Sequence, residues 1–344
     1  MKILFDSYNN CCQNKAGGVQ NKIMDLYKCL ISKSYNVSLF NKWEHNLEDY
    51  DILHLFKMSF EYWSLIQYAK SKGKKIILSA IIPLSGRLKI KLDLFLCHLT
   101  HLHSANYFTK KIFDAVDVIV TETDKERSFI IKTFSINQKK IVVIPNGVSL
   151  DFTTTDKNLF CEEYGVREGF VLQVGRIDRN KNLLSVIKAL KGTGIELVVI
   201  GGPAPDEIDY YENCKAQSDN HVHYVGWIKH NDPLLVSALK SAKVLVLPSH
   251  KEIFGNAIFE GVMAGCNIVL TNELPYKEWG MEGYVYPIDP DNISDIRTKI
   301  LTAYDAPMNG DFINEITQNY SIDSVADAHI DLYEKILKSD KMLF

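Results

Sequence analysis

The chain has no apolar run of about eighteen residues, so no segment of it reads as a membrane-spanning helix. Proline is sparse, at 10 of 344 residues, and low-complexity tracts are missing, which argues against disordered and fibrous classes. The seven cysteines, Cys11, Cys12, Cys29, Cys97, Cys161, Cys214 and Cys266, are scattered, odd in number and without a C-x-x-C pair. They read as structural thiols of a reducing compartment. Neither half carries G-x-G-x-x-G after its first strand-like run, which argues against a nicotinamide dinucleotide enzyme. The start, MKILFDSYNN, has one Lys and a short apolar stretch before Asp6 and reads as a buried strand, not as a signal peptide.

What is present is ample apolar material, 46% of the residues against 24% charged, on a length that favours two domains. Short apolar runs alternate with amphipathic stretches, which predicts βαβ units and parallel sheets. In the first half the expected strands are Lys2–Asp6, Asn36–Phe40, Ile52–Phe56, Lys75–Ala80, Val116–Thr121 and Lys140–Ile144, with helices such as Gly18–Ser32 and Lys125–Phe134 between them. The rhythm restarts after the turn signal Pro145, Asn146, Gly147, with strands expected at Phe170–Val174, Glu196–Ile200, His221–Val225, Val244–Leu247, Asn267–Leu270 and Gly283–Val285. A last amphipathic stretch, Ser324–Leu337, has helical spacing. The expected fold class is α/β: two Rossmann-like, doubly wound domains facing across a cleft, with ligands outside the carboxyl ends of the strands.

The net charge of −3 hides an asymmetry. Residues 1–149 hold 21 Lys and Arg against 13 Asp and Glu, and residues 150–344 hold 18 against 29. Within 62–113 there are nine cations, Lys70, Lys72, Lys74, Lys75, Arg87, Lys89, Lys91, Lys110 and Lys111, and one acid, Asp93. The first half therefore reads as facing an anionic partner. Leu88, Ile90, Leu92, Leu94, Phe95 and Leu96 interleave with those cations, so the region 70–111 is expected to dock on an anionic membrane surface; the competing reading is a solvated lysine face over core leucines. Nucleic acid is disfavoured by the acidic second half.

Three stretches carry chemistry. In the first, Glu252 follows the strand ending at Leu247, Gly255 lets backbone approach a ligand, Asn256 is placed to cap a helix from about Ala257, and Glu260 lies one turn in. Both carboxylates can reach the hydroxyls of one sugar or ribose; the alternative is a capping acid and a solvated helix glutamate. In the second, Arg176 and Lys181 follow the strand Phe170–Val174, where fixed cations can stabilise a departing diphosphate, with Arg179 as a weaker candidate. The alternative is two solvated cations on a loop. In the third, Gly17 and Gly18 follow the first strand, as a phosphate-approach turn or simply a tight turn. His98, His101 and His103 lack a zinc-ligand pattern, and Asp49-Tyr-Asp51 and Asp289-Pro-Asp291 read as turns, so no metal site is expected.

Taken in order, Gly17-Gly18-Val19, Val143 to Val148, Val174-Gly175-Arg176 with Lys181, Val199 to Gly202, Val225-Gly226, Leu247-Pro248-Ser249, and Glu252 to Gly255 with Glu260 resemble the family-4 retaining glycosyltransferases of the GT-B fold. The resemblance covers nearly the whole chain. It implies an N-terminal acceptor-binding domain at 1–146, a C-terminal nucleotide-sugar domain at 147–319, and a helix in 320–344 that returns to the first domain. It also implies that Arg176 and Lys181 bind the donor diphosphate, that Glu260 holds the ribose, and that Glu252 holds the transferred sugar with Ile253, Phe254, Gly255 and Asn256. Gly18 would abut the phosphate across the cleft, Gly17, Gly202 and Ser79 would also bind the donor, and Trp227 and Ile228 would lie near the base. Ser79 stands where the family often has a histidine touching the sugar, and Ser149 where it usually has aspartate. The expected activity is metal-independent transfer, with retention, of a hexose-type sugar from a UDP- or GDP-type donor to a saccharide or lipid-linked saccharide in surface polysaccharide synthesis. No cofactor is expected, and the expected location is the cytoplasm, at the cytoplasmic face of the inner membrane. The rivals are a nucleotide-sugar epimerase of the same architecture and a non-catalytic nucleotide-sugar-binding subunit.

Overall fold

Runs of three to six residues rich in Ile, Val and Leu build two six-stranded parallel sheets. The computed structural model describes residues 1–8 and 18–338; Cys11, Cys12, Ala16, Gly17 and residues 339–344 lie outside the described residues. The chain divides into two compact units, Met1–Gly147 with the segment from Ile322 onward, and Val148–Ser321.

In the first unit the strands are β1 (Lys2–Ser7), β2 (Asn36–Leu39), β3 (Ile52–Phe56), β4 (Lys75–Ser79), β5 (Val118–Thr121) and β6 (Ile141–Val143), in the order β2-β1-β3-β4-β5-β6. Its helices are α1 (Gly18–Ser32), α2 (Trp63–Ser71), α3 (Arg87–Thr100), α4 (Ala105–Ala115) and α5 (Asp124–Phe134). In the second unit the strands are β7 (Val171–Val174), β8 (Leu197–Ile200), β9 (Val222–Gly226), β10 (Val244–Leu247), β11 (Asn267–Thr271) and β12 (Val285–Ile288), in the order β12-β11-β10-β7-β8-β9. Its helices are α6 (Leu159–Tyr164), α7 (Leu183–Leu190), α8 (Ile208–Gln217), α9 (Pro233–Ser241), α10 (Asn256–Ala264), α11 (Ile293–Asp305) and α12 (Gly310–Tyr320); α13 (Ile322–Lys338) closes the first unit.

Side chains alternate across a strand, so a continuous apolar run supplies both faces of a sheet. In the first unit Ile3, Phe5, Ile52 and Ile77 enter one core, which α1 and α13 cover with Leu26, Leu30, Ala326 and Tyr333. Leu4, Leu53, Ile76 and Leu78 enter the other, under residues of α2, α4 and α5. The second unit repeats this with Leu172, Val198 and Leu245 on one side and Val171, Leu197 and Val244 on the other.

Most strand bounds fall within one residue of expectation; two strands start two residues later than expected. The strand expected at Gly283–Val285 lies at Val285–Ile288, because Gly283, at φ 86°, makes the turn that precedes it. Val116 is not in β5 but caps α4, its N–H donating to the Ile112 carbonyl.

The face of the first unit under α13 holds a buried polar cluster. His54 on β3 bonds Ser79 Oγ through Nε2 at 2.9 Å and Tyr333 Oη through Nδ1 at 2.7 Å. Lys22 on α1 pairs with Glu122 at 2.7 Å, and Glu126 accepts the N–H groups of Glu122 and Ile82. Burial pushes Glu126 up to about 7, with the Glu122 carboxylate adding to the rise. Among the described residues neither ring nitrogen of His329 on α13 has a hydrogen-bond partner. Burial, then the charge of Lys22, lowers it to about 3, and burial lowers His54 as well.

In the unfolded chain both histidines take a proton below pH 6.5 or so, but in the fold they stay neutral, so their share of stability is lost as pH falls from there toward 3. Glu126 works oppositely, its contribution being lost as pH rises from its unfolded value of 4.5 toward 7. Replacing His329 with Leu is expected to remove about 2 kcal/mol of the stability lost between pH 7 and pH 5. Urea midpoints of parent and variant at the two pH values check this, and an unchanged pH dependence would contradict it.

Candidate functional site

A doubly wound sheet has a point where successive strands start to be added on the other side, and loops diverge there to leave a crevice at the carboxyl ends. In the second unit that point lies between β7 and β10. The loop after β7 carries Arg176 and Lys181, and the loop after β10 carries Glu252.

Local chemistry sets both loops. Asp178, buried at 4% exposure, accepts the N–H of Lys181 at 2.8 Å and Arg176 Nε at 2.7 Å. That holds the base of Lys181 and aims an Arg176 side chain that stays 59% exposed. Asn180 ties the first loop to the second: its side chain donates to the Lys251 carbonyl and accepts the Lys251 N–H, both at 3.0 Å, and its carbonyl accepts the His250 N–H at 2.9 Å. Asn182, at φ 56°, precedes α7 and donates to the Pro290 carbonyl at 2.7 Å. Across these loops Lys181 Nζ meets the Glu252 carboxylate, which also accepts a 3.4 Å bond from Ser249 Oγ.

The second loop runs into α10. Here the expected cap is corrected: Gly255, at φ 75° and ψ 62°, occupies the N-cap position and Asn256 is the first helical residue. Left-handed backbone favours glycine, and a Cβ at Gly255 would lie 3.0 Å from both Leu247 and Ile258 side chains. Phe254 turns into the core, stacked on Phe259 at 4.5 Å, so only its backbone is available to a ligand. Ile253 and Asn256 are half-buried, and Glu260, in the fifth position of α10, is 8% exposed.

Beside these loops the ends of β8 and β9 press close. A Cβ at Gly201, φ 147°, would lie 1.8 Å from the Gly175 carbonyl oxygen, and one at Gly202 would lie 2.2 Å from Trp227 Nε1. Trp227 therefore lies along Gly202 while remaining 61% exposed, and Ile228 packs on the core behind it.

Arg179 is turned away to Glu207 and Asp209, the latter at 2.6 Å. Gly18, the first residue of α1, and Ser79, the last of β4, belong to the first unit. Ser79 is 1% exposed, and its hydroxyl is bonded by His54 Nε2. Asp289 accepts the Asp291 N–H at 3.0 Å, an ordinary turn bond. Sequence reading assigned no role to Asp178, Asn180 or Gly201; the signal for the first two was the crowding of Asp and Asn directly after a strand, and for the third the Gly201-Gly202 pair.

Residues 160–319 match the family described as Glycosyl transferases group 1. An uncharacterized glycosyltransferase of Methanocaldococcus jannaschii is 26% identical over 68% of this chain and 63% of its own length. The capsular polysaccharide biosynthesis glycosyltransferase CapM of Staphylococcus aureus is 31% identical over 48% of this chain and 46% of its own. The matches thus span less than two thirds of either relative. Among solved structures, Anabaena HepE in complex with UDP and glucose superposes with a TM-score of 0.71 at 15% identity, covering 97% of this chain and 100% of that one. Sucrose-phosphate synthase from Thermosynechococcus elongatus does so with 0.74 at 14%, covering 98% and 100%. These likenesses establish the GT-B fold.

Two adjacent glycines should respond differently to alanine. Gly201→Ala drives a methyl into backbone and is expected to cost about 2–4 kcal/mol or prevent folding. Gly202→Ala meets only a side chain that can swing outward, so it should cost under about 1 kcal/mol while changing Trp227 fluorescence. Thermal unfolding and emission spectra of the two variants check this; equal losses would contradict it.

Proposed function

We propose, from the match of residues 160–319 to the family described as Glycosyl transferases group 1, that the chain is a retaining, metal-independent glycosyltransferase. It takes a hexose-type sugar from a UDP- or GDP-type donor and passes it to a saccharide or lipid-linked saccharide in surface polysaccharide synthesis. The observation that carries this reading is the meeting of Lys181 and Glu252 at the switch point, with Arg176 held beside them by Asp178. The capsule role of CapM and the O-antigen mannosyltransferase B of Escherichia coli, 25% identical over 57% of this chain, support the pathway class. The UDP in the HepE complex supports the donor class.

In this reading the bond between the sugar's anomeric carbon and the diphosphate oxygen breaks first. Arg176 and Lys181 stabilise the charge that collects on the departing diphosphate, the task a metal serves elsewhere. The α10 N-terminus adds a positive dipole end. The acceptor hydroxyl bonds to the anomeric carbon on the face just vacated, and its proton passes to the leaving phosphate. Glu252 orients the sugar and Glu260 accepts ribose hydroxyls.

Donor turnover with a saccharide acceptor, followed by product anomer analysis, tests the class; free nucleotide released without any acceptor would indicate an epimerase instead. Transfer is expected to persist in EDTA, and loss of activity restored by manganese would overturn metal independence. Glu260→Gln should raise the donor KM roughly tenfold to a hundredfold, the loss of a charge-assisted bond. Arg176→Ala should lower kcat roughly a hundredfold with a smaller effect on KM. Unchanged kinetics in either variant would remove the assigned role.

A further inference from the structure

Helix α3 is apolar on two opposite sides. At about 100° per residue, Ile90, Leu94 and Cys97 share one side, and they pack toward the core of the first unit or are buried. Leu88, Leu92, Phe95, Leu96 and Leu99 fall within an arc of about 100° on the other. These five are 48–81% exposed, and Leu102, just past the helix, is 70% exposed. A helix apolar all round is normally buried, so the outward stripe has no account in the packing of the unit.

Charge surrounds the stripe on both flanks. Arg87 and Lys91 lie along one edge and Lys89 along the other. The one acid of α3, Asp93, is turned toward α4, where its carboxylate accepts from Ser104 Oγ at 2.5 Å and Asn106 Nδ2 at 2.9 Å. A cavity of about 420 Å³ opens along the Lys91 edge, lined by Lys91, Leu94, Phe95, His98, Tyr107 and Lys110 among others.

Five of the six other cations of the basic stretch are held by the protein itself. Lys70 donates to the Ala115 carbonyl, Lys72 pairs with Glu48, Lys74 donates to the Glu48 carbonyl and Lys110 pairs with Asp114. Lys111 lies over the rings of Trp63 and Tyr107. The surface expected over 70–111 therefore narrows to α3 and its edge.

We propose that α3 is a membrane-docking helix that lies in the plane of an anionic bilayer surface. Leu88, Leu92, Phe95, Leu96 and Leu99 enter the boundary between headgroups and acyl chains, while Arg87, Lys89 and Lys91 meet lipid phosphates. An exposed apolar face edged by cations, without an acid among them, is complementary to that surface and not to water. Among the described residues no helix is long and apolar enough to cross a membrane, so this contact is peripheral. It is independent of the donor or acceptor, so it stands or falls apart from the enzymatic reading.

The test is co-sedimentation of the full chain with phosphatidylcholine vesicles, with and without phosphatidylglycerol, at low and high salt. The parent should pellet with the anionic vesicles, less so at high salt. Replacing Arg87, Lys89 and Lys91 together with Ser should weaken that binding at least tenfold, since each cation near such a surface contributes by roughly a factor of five. Leu92→Ser with Phe95→Ser should abolish it. Trp43→Ser, a loop residue 97% exposed, should bind as the parent does. Thermal unfolding confirms that each variant is folded. Binding to neither vesicle, equal and salt-insensitive binding to both, or retention by the triple variant would overturn the proposal. So would a concentration-dependent self-association without vesicle binding that the Leu92/Phe95 variant removes, which would assign the stripe to a second copy.

Discussion

The candidate site depends on one buried carboxylate. Asp178 is nearly inaccessible, yet it accepts both the Arg176 guanidinium and the Lys181 backbone N–H. Without it the loop after β7 would carry two loose cations with several rotatable bonds each. With it, Lys181 is fixed close enough to meet Glu252 from the loop after β10. Asn180 bonds the two loops along their backbones, so the arrangement is set by groups that need not touch any ligand. A buried carboxylate is costly unless its oxygens are well supplied with donors. Here the donors are the very groups the site has to position.

The parallel sheets were legible because strands buried on both faces read as unbroken apolar runs; α1 at Gly18–Ser32 and β10 at Val244–Leu247 fall where periodicity put them. Places where the reading slipped share a cause. At Gly255 and Gly283 a left-handed backbone, invisible in hydrophobic patterning, moved a helix start and a strand start. The hydroxyl of Ser79 is bonded by His54, 25 residues earlier, and His54 in turn by Tyr333, 279 residues later, pairings that local patterning does not show. The charge map was read correctly as a count and too broadly as a surface. Lys72 and Lys74 are drawn to Glu48, and Lys70 to the end of α4, partners that local composition does not reveal.

The residues singled out by motif divide by what backbone and core demand of them. Phe254 is a core residue whose neighbours in sequence face the site, and Gly201 is required by the Gly175 carbonyl. A motif position can therefore be fixed by packing and lie next to chemistry without taking part in it. Arg176, Lys181 and Glu252 combine partial exposure with charge at the switch point itself.

The first unit is discontinuous along the chain: its core is completed by α13, which begins after the whole of the second unit. The bond from Tyr333 to His54 spans 279 residues. During synthesis the face formed by Ile3, Phe5, Ile52 and Ile77 must wait, uncovered on the α13 side, until α13 emerges after the second unit. The second unit, continuous from Val148 to Ser321, can finish earlier. The first unit thus completes after the second although it begins before it, and until α13 docks one apolar face of its sheet lacks part of its cover.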